Sequence, residues 1–349
     1  MDPVNAWGDL PAAIRYPLAF LIPLLATLFL TPVASRAAHR YGVMDRPGGH
    51  KTHREATPYL GGLAVAAGLL VIAAIASGAN GQLLTILVGG VLLAAVGLAD
   101  DVRGLAALTR LGFEVIAGVA LWMAGVRADV LHQVWINLPV TILWVVAVTN
   151  AFNIIDNMDG LATAAAVASS LGIATIAAIN GDYLVASFAL AVAGASLGFL
   201  RYNFPPATIF LGDAGSMLLG FLIAALILKL DLPVGAAAPR ALSTILLAAV
   251  PLFDLTLVMV ARLREGRPVY RGGSDHLSHR LAAAGVPKRT IVCIVGGAQL
   301  ACSGLALVAS RQPQGVVLAL GTGVAIAWVG LLLLLLRMPA PADLSSSAA

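Results

Sequence analysis

An all-α integral membrane protein, folded as a polytopic bundle of about eleven transmembrane helices with catalytic loops on one face, is the fold class that three observations predict. Hydrophobic residues make up 60% of the 349-residue chain and charged residues 11%, with a mean hydropathy of +0.93. That is far from a soluble globular average. The apolar residues fall in long runs, and the carboxylates gather where one run ends and the next begins.

The runs span roughly 17–38, 60–78, 82–99, 105–125, 136–152, 161–179, 183–200, 214–230, 241–261, 290–310 and 316–336. Most approach the ~20 residues that cross ~30 Å of hydrocarbon at ~1.5 Å per residue. Ten spans is the alternative count, because 136–152 is short and the last two runs share a brief hairpin around Arg311-Gln312-Pro313. One transmembrane catalytic domain over 1–337, followed by a disordered Pro-, Ala- and Ser-rich tail at 338–349, accounts for the chain.

Basic residues set the orientation. With eleven spans, 16 of the 21 Lys and Arg residues fall on one side, from Arg36 to Arg337; Arg15, Arg127, Lys229, Arg240 and Arg311 fall on the other. The positive-inside rule places the larger group in the cytoplasm, with the N-terminus outside. The formal charge of +4 is therefore a topology signal, and no basic stripe on a soluble domain calls for nucleic acid. The first run follows a slightly acidic segment and is long enough to remain as an anchor, so no cleaved signal peptide is expected. Cys293 and Cys302 lie ~13.5 Å apart on one helix, too far to bridge.

Three acidic clusters follow odd-numbered runs, so alternating spans deliver all three to the inner face. Asp100-Asp101 closes the third run. One of the pair suits helix capping, but adjacent acids repel, and two carboxylates beside Arg103 suit a divalent cation or the positioning of a phosphate. In Asn150-Ala-Phe-Asn153-Ile-Ile-Asp156-Asn157-Met-Asp159-Gly160 the polar side chains recur about three apart and wind slowly around one helix face. Such a segment is costly near lipid unless it is used. In Phe210-Leu-Gly212-Asp213-Ala-Gly215-Ser216, Asp213 and Ser216 suit capping of the next helix, while the glycines let backbone approach a ligand. Oxygen donors with no Cys or His cluster point to Mg²⁺, or Mn²⁺ in its place.

A basic inner loop, Arg262 to Arg289, carries Arg271, His276 and His279, and the first inner loop carries Lys51 and His53. These groups suit a diphosphate. Asp254, inside a run, either reaches the site from below or bonds a neighbouring helix. Glu114 reads as a structural partner or a water contact. No Rossmann glycine pattern or P-loop is present.

Taken together, these motifs resemble the polyprenyl-phosphate N-acetylhexosamine-1-phosphate transferase superfamily over roughly 17–310. The resemblance implies that Asp213, with Asn153, binds Mg²⁺ and that Asp100, Asp101 and Asp156 line the reaction centre. It implies that Asp159 and Phe210 hold the uracil end of a UDP-sugar. Lys51, His53, Asn157, Arg271, His276 and His279 would line the remaining substrate. The implied acceptor is polyprenyl (undecaprenyl or decaprenyl) phosphate, the product besides the lipid is UMP, and the setting is the bacterial inner membrane, with a homodimer as the family's state.

Asp275-His276-Leu-Ser278-His279-Arg280-Leu281 is nearer the His-Leu-His-His-Arg-Leu loop of the GlcNAc-1-phosphate branch than the consecutive histidines of the phospho-MurNAc-pentapeptide branch, which stays the alternative. Ser278 stands where that loop has a histidine. A secondary transporter is the rival class, disfavoured because its ionisable residues would lie near the bilayer midplane.

Overall fold

A computed structural model describes residues 6–45, 56–76, 80–129, 133–231, 237–270 and 273–338. Its elements are α1 (Ala6–Asp9), α2 (Ala12–Tyr41), β1 (Met44–Asp45), β2 (Thr57–Pro58), α3 (Gly61–Ala76), α4 (Gly81–Arg103), α5 (Ala107–Met123), α6 (Val134–Ile155), α7 (Leu161–Ile179), α8 (Tyr183–Asn203), α9 (Gly212–Lys229), α10 (Ala237–Leu246), α11 (Ala249–Arg264), α12 (Leu277–Ala283), α13 (Lys288–Ala309) and α14 (Gln314–Arg337). The bundle is helical throughout apart from one antiparallel strand pair, which matches Met44 with Pro58 and Asp45 with Thr57.

Within the described residues each predicted apolar run is carried by one helix, except 241–261, which is divided between α10 and α11. Among the described residues, eight helices are long and apolar enough to cross a membrane, or nine if α10 and α11 count as one span. The count of eleven is not reached, because α3 and α5 have 16 and 17 residues and the 241–261 run is broken. The chain is a multi-pass membrane protein.

At the centre stands α9. Its apolar window is 83% buried, against 6% for α14, so α9 is enclosed by other helices while α14 leaves most of its Leu, Ile and Val side chains exposed. Helices α3, α4 and α6 pack on α9, and α2, α7 and α8 form a second layer joined to α13. Close crossing of α4 and α9 depends on Gly97. A Cβ there would lie 2.3 Å from the Asp213 carbonyl oxygen.

The break between α10 and α11 bends the chain by 79°. It releases backbone groups in a region with no water to receive them. Gln299, fully buried on α13, receives them instead: its Oε1 accepts from Val250 N–H (2.9 Å) and its Nε2 donates to Leu246 O (3.1 Å). Gln299→Leu leaves one orphan donor and one orphan acceptor. It is expected to destabilise the protein by about 1–3 kcal/mol for each, seen as a lowered unfolding midpoint in detergent; an unchanged midpoint would refute the role of Gln299.

Candidate active site

The three acidic clusters meet at one end of the bundle around an open cavity of about 810 Å³. That is a volume suited to a small-molecule ligand. Its floor is built from helix ends. Leu211, at the start of α9, gives no side-chain cap, and α4 supplies one: Asp101 accepts from the backbone N–H groups of Asp213 (3.0 Å) and Ala214 (3.2 Å). Gly212 permits this approach. Its φ is +72°, and a Cβ there would stand 2.7 Å from Asp101 Oδ2.

Asp100 turns the other way. Its Oδ1 accepts from Leu105 N–H and its Oδ2 receives Arg110 Nη1 at 2.6 Å. The same nitrogen lies 2.8 Å from Asp213 Oδ2, so Arg110 bridges two of the predicted clusters. Capping and site-building are thus one arrangement: Asp100 and Asp101 hold separate backbone segments and present their carboxylates to one cavity.

Asn153 donates through Nδ2 to Asp213 Oδ1 (2.9 Å) and Ser216 Oγ (3.0 Å). The predicted metal pair is therefore in contact, with Asn153 behind Asp213 and not itself on the cavity wall. Asp156, in the turn after α6, lines the cavity. Burial, and then the Asp213, Asp101 and Asp159 carboxylates, push its pKa well above the usual carboxylate value. Six aspartates line this cavity: 45, 100, 101, 156, 159 and 213. Oxygen-only donors carrying excess negative charge fit a hard divalent cation in chemical type. Among the described residues, no three His, Cys, Asp or Glu side chains converge as a ready ligand set.

Phe210 and Asp159, which the resemblance assigns to the nucleotide, both line the cavity. Asp159 Oδ2 accepts from Ala207 N–H at 3.0 Å, fixing the 204–211 loop over the α6–α7 turn. Asn203 reinforces this, accepting from Gly160 N–H (2.9 Å) and donating to Ile209 O (3.1 Å). The strand pair is tied to the same loop through Phe210 N–H to Pro58 O (2.8 Å). Tyr59 packs edge-on to the Phe210 ring, centroids 6.1 Å apart. Burial, then the Asp45 carboxylate to which Tyr59 is hydrogen-bonded, raise its pKa above the ordinary phenol value, so it remains a donor.

The basic loop divides into residues that face the cavity and residues that hold it. His279 lines the cavity; His276 does not. The two rings meet edge-on, centroids 5.6 Å apart. His276 is buried, and its Nδ1 lies 3.0 Å from Asp254 Oδ2, while Asp254 Oδ1 accepts from Leu277 N–H at 2.7 Å. Asp254 therefore bonds a neighbouring helix, the second of its two readings. Ser278 is also buried and donates to Asn157 Oδ1, so its departure from the histidine pattern is a tether between α12 and the α6–α7 turn. Asn157 reaches the cavity from the other end of that tether.

Asp275 is clamped by Arg262 (3.2 Å) and Arg267 (2.5 Å). Against the upward pull of burial, these partners hold its pKa below the usual value. Arg280 donates to Leu335 O and Met338 O at the end of α14. Glu114 accepts from Asn150 Nδ2, a structural partner as expected. Lys51, His53 and Arg271 lie outside the described residues. Arg110, Tyr59, Asn203 and Lys288 were not singled out by the sequence patterns. The one signal for Arg110 was its place ten residues after Asp100, across the turn between two apolar runs.

The acidic, oxygen-lined cavity at the helix ends of this membrane bundle is the candidate active site, and sequence comparison shows the family to which it belongs. The model of glycosyl transferase family 4 matches residues 83–231, and the chain belongs to that family. It is 34% identical over 293 residues to a probable undecaprenyl-phosphate N-acetylglucosaminyl 1-phosphate transferase of Bacillus subtilis, covering 81% of each chain. It is 32% identical over 316 residues to a decaprenyl-phosphate N-acetylglucosaminephosphotransferase of Mycobacterium tuberculosis, covering 80% of this chain and 78% of the relative. Similarity to a phospho-N-acetylmuramoyl-pentapeptide-transferase of Caldicellulosiruptor bescii is lower, 28% over 247 residues, covering 65% and 77%.

His279 gives this site a pH signature. Burial first, then the nearby His276, lower its pKa from 6.5 to about 4. Unfolded chain takes up a proton near pH 6.5 that the folded site refuses, so the unfolded state binds more protons between 4 and 6.5. The contribution of a neutral His279 is therefore present above pH 6.5 and lost as pH falls towards 4. Unfolding midpoints of His279→Gln should fall less than wild type across that window; parallel curves would contradict the assignment.

Proposed function

We propose that the protein moves N-acetylhexosamine-1-phosphate, specifically GlcNAc-1-phosphate, from a UDP-sugar to polyprenyl phosphate, releasing UMP as the first step of a cell-envelope glycan. The observation that carries this is the convergence of Asp100-Asp101, Asp156-Asp159 and Asp213 on one open cavity at span ends, in a chain with GlcNAc-1-phosphate transferase relatives. The site lies on the cytoplasmic side of the bacterial plasma membrane, with the N-terminus outside, on the strength of the charge distribution along the chain.

In this reaction an oxygen of the lipid phosphate attacks the phosphorus bonded to the sugar. The bond from that phosphorus to the bridging oxygen breaks, and the electron pair leaves with UMP. A phosphate monoester has its second pKa near ~6, so the acceptor is already dianionic around neutrality and needs no general base. Asp100 and Asp101 then act by position. Asp101 fixes the start of α9, and Asp100 with Arg110 fixes the carboxylate of Asp213.

Mg²⁺ or Mn²⁺, held by Asp213 and the adjacent carboxylates with Asn153 orienting Asp213 from behind, would neutralise the diphosphate and its developing charge. Phe210, Tyr59 and Asp159 form the wall suited to the uridine, one face aromatic and one acidic. His279, neutral, offers hydrogen bonding without charge. The loop has no consecutive histidines, and Ser278 is buried among helices, so nothing here favours the peptidoglycan reaction.

Purified protein with polyprenyl phosphate and Mg²⁺ should release UMP from UDP-GlcNAc faster than from other UDP-sugars in a panel; no UMP from any of them would sink the proposal. Asp101→Asn should lower kcat by about 100-fold through misplacement of the α9 terminus, evenly from pH 6 to 9. A loss confined to low pH would instead make Asp101 a base.

A further inference from the structure

We propose that Lys288 is a further substrate-binding residue, holding a phosphate group of the reactants at the rim of the cavity. This rests on the transferase reading above and adds to it a residue outside the acidic motifs. Lys288 is the first residue of α13 and lines the cavity, as do His279 and Gly273 from the preceding loop and helix. Among the described residues that line the cavity it is the sole basic side chain, set against six aspartates.

Arg289 donates to Pro205 O at 2.8 Å, which anchors the first turn of α13 beside Pro206 and Ala207, themselves on the cavity wall. That anchor sets the backbone of Lys288 at the mouth.

Charge makes the position matter. Each reactant is an anion, and each must enter a cavity whose lining is dominated by carboxylates. His279 is neutral near pH 7 and offers no compensating charge. An ammonium at the rim acts on an approaching phosphate within the ~8 Å Debye length of physiological salt, and a flexible lysine suits a phosphate as a point charge. Two sources share this chemistry. The diphosphate of the donor occupies the cavity, and the headgroup of the acceptor lies at the membrane surface, where the span of α13 begins.

The test uses the full chain in nanodiscs, with Lys288→Gln, Lys288→Glu and Lys288→Arg. Donor affinity is measured as equilibrium binding of UDP-GlcNAc without acceptor, and acceptor KM from UMP release. Lys288→Gln should raise one of these constants about tenfold, the loss of one charge-assisted contact. Lys288→Glu should raise it further and Lys288→Arg should restore it, with kcat and the unfolding midpoint little changed because the side chain is exposed.

A rise in the donor constant assigns Lys288 to the diphosphate; a rise in acceptor KM assigns it to the lipid phosphate. Unchanged constants in an active enzyme overturn the proposal, as does a fall in kcat and unfolding midpoint together. A wild-type protein that binds UDP-GlcNAc but never releases UMP would overturn the transferase reading, and the binding arm would still decide Lys288.

Discussion

One carboxylate on α4 caps a helix that cannot cap itself. The N-terminus of α9 begins at a glycine with left-handed backbone, preceded by a leucine, and its first N–H groups point to where no local side chain can receive them. Asp101 receives them from across the bundle. Because α9 is enclosed by α3, α4 and α6, fixing its end also fixes the depth at which Asp213 meets Arg110 and Asn153. A buried helix start without a partner is expensive, so the α4–α9 contact and the geometry of the site stand or fall together.

The same principle is repeated around the cavity. Asn203 serves the start of α7, and Asp254 serves the start of α12 while holding His276. In each case a polar side chain on one helix satisfies the backbone of another, and a residue that lines the cavity lies close by in sequence: Asp159 beside Gly160, and His279 two residues after Leu277. Structural satisfaction and placement of chemistry are carried by the same hydrogen bonds. This is why Asp254 could be read from sequence either as reaching the site or as bonding a neighbouring helix.

Much of the site was legible because carboxylates in an oily chain stand out. Asp100, Asp101, Asp156, Asp159, Asp213 and Phe210 occupy one cavity as their motifs indicate. Arg110 and Lys288 were hidden by the positive-inside rule, which already accounts for basic residues at inner span ends and so removes them from suspicion. Asn203 and Tyr59 were hidden because their roles depend on contacts with residues far along the chain. The Asp254 partner of His276 was hidden in the same way, because nothing local shows a carboxylate 22 residues earlier meeting a histidine in a glycine-flanked basic loop. In the fold, the apolar runs gave the helices, but the bend between α10 and α11 follows from what Gln299 can satisfy on another helix.

The cavity draws its lining from widely separated parts of the chain, from Asp45 to Lys288. During synthesis the carboxylates of α4 and the α6–α7 turn reach the bilayer well before α12 and α13 exist. Until then, the growing protein carries the acid cluster without Gly273, His279 and Lys288. The lining is therefore completed only late in insertion, and what arrives last is the basic rim of a cavity whose carboxylates are already in place.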